Sequence, residues 1–298
     1  MGYGSSHQKI ILRGRSLLKQ RIITAVILAP LVIAGIFLLP FPAFVAALAG
    51  ITLIGFWEWT QFVEAKSRVA AMVLPTLVLG ASIALMPTDA TTLSMLASSH
   101  QAVLLIGGIW WAVASALAIS YPRSAKLWST SIPLKYLFGL LTLLPFFWSV
   151  LMLRAVNYLE SPYHGAKLVM LVCFLVWAAD TGAYFSGKRF GKHKMAPAVS
   201  PNKTIEGLAG GALLAVLVTW GGAALMDIPF VSLGSLLLIA VVTVVASVLG
   251  DLVESMFKRV SGIKDSGSIL PGHGGILDRI DSLTAALPVF ALLYLWLI

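Results

Sequence analysis

The sequence predicts an all-α, polytopic integral membrane protein with about nine transmembrane helices and a cytoplasmic N-terminus. Of its 298 residues, 59% are hydrophobic and only 11% are charged, with a mean hydropathy of +0.93. That composition lies outside the range of soluble globular domains. Several apolar runs also reach the roughly 20 residues that a helix needs to cross the bilayer, and their continuous apolarity favours helices over alternating barrel strands.

The elements follow in order from a basic N-terminal segment, residues 1–21. The apolar run behind it is long for a secretory signal peptide, so we interpret it as a retained first helix. Helices one to five form an N-terminal region, 22–165, and helices six to nine a C-terminal region, 166–298, which we expect to be catalytic. The predicted helices span 22–40, 42–62, 70–87, 102–120, 136–153, 166–186, 206–226, 232–257 and 278–298.

Charge distribution orients the predicted bundle. If nine helices alternate from a cytoplasmic N-terminus, 19 of the 21 Lys and Arg residues fall on the cytoplasmic side, leaving Arg154 and Lys167 opposite. The positive-inside rule supports this topology. The rule makes little demand on acids, yet nine of the 12 Asp and Glu residues lie toward the same side. Membrane orientation alone does not require carboxyl groups among the basic residues. A metal-assisted site for phosphates requires both.

Asp180 stands inside an otherwise apolar run, one to two turns before a basic loop. Intramembrane carboxyls are costly and often functional. The alternative is a helix-packing hydrogen bond or an acid reaching toward the interface. Small residues follow it, Gly182, Ala183 and Ser186, and would let another helix or a ligand come close.

Two further acidic pairs have helical spacing. Asp251 and Glu254 share one helix face, with Lys258 one turn further on, which also fits a structural Glu–Lys pair. Asp278 and Asp281 lie three residues apart. This spacing suits a divalent-metal site, and it equally suits acids placed at a helix N-terminus.

Two loops offer groups for phosphate chemistry. The block 200–207, Ser-Pro-Asn-Lys-Thr-Ile-Glu-Gly, offers hydroxyls, a lysine and a helix start, which together suit a triphosphate, although it is not a Walker A loop. The basic run before it, 187–194, is typical of an ordinary cytoplasmic loop. The Gly- and Pro-rich loop 270–275 can approach a ligand through its backbone. His273 in that loop is a candidate acid, base or ligand, or a structural hydrogen-bonding residue.

Some classes of chemistry are disfavoured. The single cysteine, Cys173, excludes a disulfide framework or cysteine-based zinc site within the chain. The histidines show no metal-ligand spacing, and no Gly-x-Ser-x-Gly elbow indicates a covalent serine intermediate.

Five motifs stand in a fixed order in the second half of the chain. They are Asp-x-x-Ala-Tyr at 180–184, Ser-Pro-x-Lys-Thr-x-Glu-Gly at 200–207, Ser-x-x-Lys-Arg at 255–259, Lys264-Asp265, and Pro-x-His-Gly-Gly-x-x-Asp-Arg-x-Asp at 271–281. Together they resemble the motifs of the phosphatidate cytidylyltransferases, also called CDP-diacylglycerol synthases. The resemblance covers about 177–282, and the first half is similar mainly in hydropathy and around Trp57-Glu58-Trp59.

This resemblance implies an enzyme that converts CTP and phosphatidic acid into CDP-diacylglycerol and pyrophosphate. The expected metal ligands are Asp251, Asp278, Asp281 and Asp180. The expected groups for CTP are Ser200, Asn202, Lys203, Thr204 and Arg279. The expected catalytic groups are Asp251, Asp278, Asp281, Lys258, Arg259 and His273.

Cofactors, partners and location follow from the same resemblance. Magnesium is the natural ion for carboxylates with phosphates, and the family implies potassium as a second ion and a homodimer. The expected partners are CTP and membrane phosphatidic acid, with no nucleic acid. We expect a multi-pass protein of the inner, cytoplasmic membrane, with its active site facing the cytoplasm.

Two other functions remain as alternatives. Intramembrane Asp180 and Asp251 on glycine-interrupted helices also suit an ion-coupled transporter, but the chain shows no convincing internal repeat and its acids sit toward one interface. A CDP-alcohol phosphatidyltransferase would carry an Asp-Gly-x-x-Ala-Arg motif, which is absent.

Overall fold

The computed structural model describes residue 20 and residues 23–95 and 101–297. Eight helices within these residues are long and apolar enough to cross a membrane, and another apolar helix, α1 (Ile23–Leu38), is shorter. The other elements are α2 (Phe41–Val63), α3 (Arg68–Leu85), α4 (Ala90–Met95), α5 (Gln101–Ile119), α6 (Ala125–Trp128), α7 (Ile132–Ala155), α8 (His164–Phe190), β1 (Lys194–Ala196), β2 (Ser200–Thr204), α9 (Ile205–Met226), α10 (Leu233–Val260) and α11 (Leu277–Leu297).

The predicted all-α, polytopic membrane architecture is therefore confirmed. The count of nine spans and the side of the N-terminus stay predictions. The basic segment 1–21 lies outside the described residues apart from Gln20.

Capping chemistry sets several helix ends. Ser67, Ser131, Thr204 and Ser232 each accept a hydrogen bond from the backbone N–H three residues on, at the starts of α3, α7, α9 and α10. Asp227, in the left-handed conformation, ends α9. The structure and the predicted ranges, which followed the lengths of the apolar runs, agree closely at most helices.

Burial and side-chain contacts define the architecture. In their most apolar windows, α7 and α8 are 72% and 61% buried, whereas α3 and α9 are 17% and 22% buried and lie at the periphery. One end of the bundle, here called the charged end, brings together the C-terminal parts of α2, α8 and α10 and the N-terminal parts of α7, α9 and α11. Aromatic residues pack behind it, with the ring of Phe257 against Trp59, Phe62, Trp128 and Phe138.

The sequence between α8 and α9 forms a β-hairpin, which was not predicted. Strands β1 and β2 pair antiparallel, with Lys194 opposite Thr204 and Ala196 opposite Ser200. Helix α8 also runs to Phe190, beyond its predicted end at residue 186. Strands of three and five residues are too short to show an apolar alternation, so the pattern gave no strand signal.

Helices α8 and α9 pack backbone against backbone through small residues. A side chain on Gly182 would collide with the carbonyl of Gly210, and one on Gly211 with the carbonyl of Ala179. Small residues permit this close approach in membrane helices. The small residues after Asp180 therefore serve contact with another helix, which holds Asp180 beside the start of α9.

Candidate active site

An ion pair joins the 200–207 block to helix α10. The Nζ of Lys203 lies 2.8 Å from Oδ2 of Asp251 and donates to the carbonyl of Val248 at 3.0 Å. Ser255 donates to the other oxygen of Asp251 at 3.2 Å. The Lys203 and Asp251 side chains are 23% and 32% exposed, so both remain accessible to a ligand.

Other residues of this block build the hairpin that carries Lys203. Thr204 is buried, and its hydroxyl oxygen accepts from the N–H of Gly207 at 3.1 Å. Glu206 accepts from the N–H groups of Lys192 and His193 and contacts His193 Nδ1 at 2.6 Å. The block therefore connects the hairpin to the start of α9 through hydrogen bonds.

The remaining members of the block are open to ligands. Ser200 is half-buried and Asn202 is exposed. The N–H of Ile205 bonds the carbonyl of His193, and that of Gly207 bonds Thr204, so two N–H groups in the first turn of α9 are occupied. The roles of Ser200, Asn202 and Thr204 toward CTP stay predictions.

A second network joins α10 to α11. The Nζ of Lys258 lies 2.9 Å from Oδ1 of Asp278 and 3.3 Å from Oε2 of Glu254. Asp281 is close enough to Glu254 for the two carboxyl groups to interact. Lys258 thus balances a cluster of three acids on two helices, and the Glu254–Lys258 pair inferred from spacing exists as part of that cluster.

Asp278 organises the loop before α11. Its carboxyl accepts from the N–H of Ser266 at 2.9 Å and from the N–H of Gly275 at 2.8 Å. Gly274 stands between them at φ +81°, a left-handed conformation in which a side chain would also strike Asp278. Asp278 therefore acts as an acid at a helix N-terminus, and its predicted metal role requires these contacts or Lys258 to change.

Asp180 and Arg279 complete the charged surface. Asp180 is exposed on α8 and lies within electrostatic range of Asp251, Lys203 and Arg279. Arg279 is exposed at the start of α11. Three separate helices thus contribute charge to one region, as the sequence predicted.

Arg259 and His273 have different surroundings. Arg259 Nε donates to the carbonyl of Val199 at 3.2 Å, which ties α10 to the turn of the hairpin. Nδ1 of His273 is buried without a hydrogen-bond partner among the described residues, and its backbone N–H bonds Leu270. The catalytic role expected of His273 stays a prediction.

The donor chemistry fits magnesium. The acids at this end offer hard oxygen ligands, and Glu254 is buried beside Lys258 and Asp281. As they stand, the described residues contain no group of three or more His, Cys, Asp or Glu side chains in metal-holding proximity. Coordination by Asp251, Asp278, Asp281 and Asp180 stays a prediction that requires side-chain rearrangement.

One acid at this end was not singled out as a site residue from sequence. Glu58 is only 1% exposed, and its carboxyl accepts from the N–H groups of Ile276 and Leu277 at 3.0 and 2.7 Å. An acid within an apolar run was the signal that identified Asp180, and the same signal marks Glu58.

Comparisons with known proteins place the chain in a family. The sequence model of the Cytidylyltransferase family matches residues 19–297. This chain belongs to that family. It is 44% identical over 289 residues to a phosphatidate cytidylyltransferase from Haemophilus influenzae, covering 95% of this chain and 100% of the relative. It is 42% identical over 280 residues to one from Pseudomonas aeruginosa, covering 94% and 97%.

The family match extends the similarity seen in the sequence. The motifs alone covered about 177–282, whereas the family model spans both halves of the chain. A third relative of the same name, from Bacillus subtilis, is 47% identical over 127 residues, 42% of this chain and 46% of the relative. The comparisons give no support to the ion-coupled transporter.

Proposed function

We propose that this protein transfers a cytidylyl group from CTP to phosphatidic acid, giving CDP-diacylglycerol and pyrophosphate for phospholipid biosynthesis. The observation that carries the proposal is 44% and 42% identity, over 95% and 94% of this chain, to relatives named phosphatidate cytidylyltransferase. The charged end supports it, because Lys203 and Lys258 there lie among acids on several elements.

The chemistry requires alignment and charge neutralisation. A phosphate monoester is largely ionised at neutral pH, so the phosphate of the lipid is itself the nucleophile and needs no strong base. Lys203 and Arg279 hold the triphosphate, and Lys258 and Arg259 offset negative charge near the transferred phosphate. Mg²⁺, when bound by the carboxyls, would stabilise charge on the α-phosphate and the leaving pyrophosphate. With the carboxyls bound to the ion, Lys203 and Lys258 would be able to pair with phosphates instead.

The lipid enters sideways from the membrane. Asp180 is exposed on a helix of membrane-spanning length, close to Asp251 and to the basic hairpin. Phosphatidic acid in the cytoplasmic leaflet of the inner membrane therefore presents its headgroup at the depth of these acids, while CTP arrives from the cytoplasm. The family resemblance also implies a homodimer, which is part of the proposal.

Pyrophosphate release tests the reaction. Purified protein given CTP, Mg²⁺ and phosphatidic acid should release pyrophosphate and form CDP-diacylglycerol in equal amounts. Diacylglycerol, which lacks the nucleophilic phosphate, is the matched control and should give neither product. Release of pyrophosphate with both lipids, or with neither, would refute the proposal.

Stereochemistry tests the direct displacement. With chiral α-phosphorothioate CTP, a single in-line transfer inverts the configuration at phosphorus. Net retention would instead indicate two displacements through a cytidylyl-enzyme, and the mechanism would then be wrong.

A further inference from the structure

Glu58 links the first half of the chain to the glycine-rich motif. It lies in α2, and within the described part of the chain the hydrogen-bond partners of its carboxyl belong to residues 266–277. Oε1 accepts from the N–H of Ile276 at 3.0 Å, and Oε2 accepts from the N–H of Leu277 at 2.7 Å and the hydroxyl of Ser266 at 3.3 Å. A buried acid in a membrane-length helix is costly unless it is hydrogen bonded in this way.

The N–H of Leu277 is the first of α11, and that of Ile276 belongs to the residue just before the helix. A helix leaves its first N–H groups without intrahelical partners, and its N-terminus favours negative charge. Glu58 takes those of Ile276 and Leu277, and Asp278 takes that of Gly275. Two carboxyls therefore fix the direction in which α11 leaves the loop, and with it the positions of Arg279 and Asp281.

Two glycines pack closely against the carboxyl of Glu58. A Cβ added to Gly267 or to Gly275 would overlap the Glu58 carboxyl. Gln61, on the same helix, donates through Nε2 to the carbonyl of Ser266. Helix α2 thus holds the loop by hydrogen bonds and by steric fit together.

We propose that Glu58 is a positioning residue for cytidylyl transfer, acting through the first turn of α11 rather than by touching the substrates. This inference rests on the function proposed above. Its oxygens face backbone N–H groups, and the residues it orients include Asp278, Arg279 and Asp281. Glu58 also lines a cleft with Arg68 and Lys264, so direct contact with a substrate is the competing role.

Kinetics separate these two roles. For Glu58→Ala we expect kcat to fall about 100-fold, because a displacement near 1 Å of reacting groups has that scale of effect. KM for phosphatidic acid should stay within about twofold. KM for CTP should rise by less than kcat falls, because Glu58 orients Arg279 but leaves the hairpin that carries Lys203 untouched. Glu58→Gln keeps the shape and one acceptor oxygen, so its kcat should recover to within about tenfold of the unmodified protein.

A second variant reaches the same contact from its other side. Gly267→Ala pushes a methyl group against the Glu58 carboxyl and should lower kcat in the same manner. The double variant Glu58→Ala/Gly267→Ala should lose little more than either single variant, because the methyl group occupies the vacated space and the effects are not additive. Glu64→Gln is the control: it alters an exposed acid at the end of α2 that pairs with Lys135, and should leave kcat unchanged.

The outcomes are distinct. Unmodified protein that makes no CDP-diacylglycerol would refute the proposed function and this inference together. Active unmodified protein whose Glu58→Ala variant keeps full kcat, or shows a raised KM alone, would overturn the positioning role only. The thermal transition in detergent reports folding for each variant. If Glu58→Ala does not fold, Glu58→Gln and Gly267→Ala decide, and wild-type kcat in both would overturn the inference.

Discussion

The two ends of the helix bundle satisfy their cations in different ways. At the charged end, Lys203 and Lys258 pair with side-chain carboxyls of α10 and α11, in addition to the backbone carbonyls to which Lys203 and Arg259 donate. At the opposite end, Arg154 donates to the carbonyls of Ile36 and Pro162 at 3.0 and 2.7 Å, and Lys167 donates to the carbonyl of Met226 at 2.9 Å. Backbone carbonyls at helix ends attract cations, but they are fixed parts of the scaffold.

The difference separates cations whose carboxyl partners can be replaced by a ligand from cations that only hold the backbone together. A carboxyl side chain can turn to a metal ion while its lysine turns to a phosphate, whereas the carbonyls that Arg154 bonds are fixed parts of the backbone. Arg154 is also 3% exposed and lies near the rings of Phe44 and Tyr158, at 5.8 and 5.9 Å. We therefore expect substitutions at the charged end to change kinetics, and substitutions at the opposite end to change stability.

Asp251→Asn should have the largest effect. It keeps the size of the side chain but removes the charge that pairs with Lys203 and that we expect to hold Mg²⁺. Turnover should fall on the order of 100- to 1000-fold while the protein stays folded. Asp227→Asn removes an acid from the opposite end and should leave turnover unchanged. Near-normal turnover of Asp251→Asn at limiting Mg²⁺ would contradict the metal assignment.

Lys203→Ala should act mainly on CTP. The lysine is assigned to the triphosphate, and a charge-assisted hydrogen bond is worth about 1.5–3 kcal/mol, so KM for CTP should rise about 10- to 100-fold. KM for phosphatidic acid should change much less. Lys194→Ala removes an exposed charge from the neighbouring strand and is the control. An equal rise in both KM values would argue against a triphosphate role.

The sequence could predict those parts of the site that depend on local pattern, but not those that depend on contacts between distant residues. The long helices followed from apolar length, and Asp180, Asp251 and Asp278 followed from acids at one membrane side and from motif spacing. All three lie at the charged end. The hairpin carrying Lys203 was missed because its strands are shorter than any readable alternation.

Contacts between residues that are far apart in the sequence could not be derived from local pattern. Nothing near Glu58 in the sequence indicates that it bonds Leu277, whose contact depends on how α2 meets α11. In the same way, the i, i+3 spacing of Asp278 and Asp281 fitted a metal site and a helix N-terminus equally. The hydrogen bonds from Ser266 and Gly275 give Asp278 the second of these roles.

Arg154→Met should have a smaller effect, on stability alone. The methionine keeps apolar bulk but leaves the carbonyls of Ile36 and Pro162 without their donor. The loss should be about 2 kcal/mol of unfolding free energy, seen as a thermal transition lowered by several degrees. kcat and both KM values should match the unmodified protein. A loss of turnover with an unchanged transition would remove the distinction between the two ends.

Ser200→Cys tests which end faces the cytoplasm, and its readout is labelling rather than turnover, because Ser200 is itself an expected CTP group. Ser200 is half-buried opposite Ala196 in the hairpin, and sulfur replaces oxygen with little change in shape. The native thiol, Cys173, is 4% exposed, so background labelling should be low. A membrane-impermeant maleimide should label position 200 only after cells are permeabilised. Glu160→Cys, in the exposed link between α7 and α8 at the opposite end, should react in intact cells. The reverse pattern would place Lys203 and Asp251 outside the cell, where CTP is not supplied, and would overturn the cytoplasmic orientation that the positive-inside rule predicts.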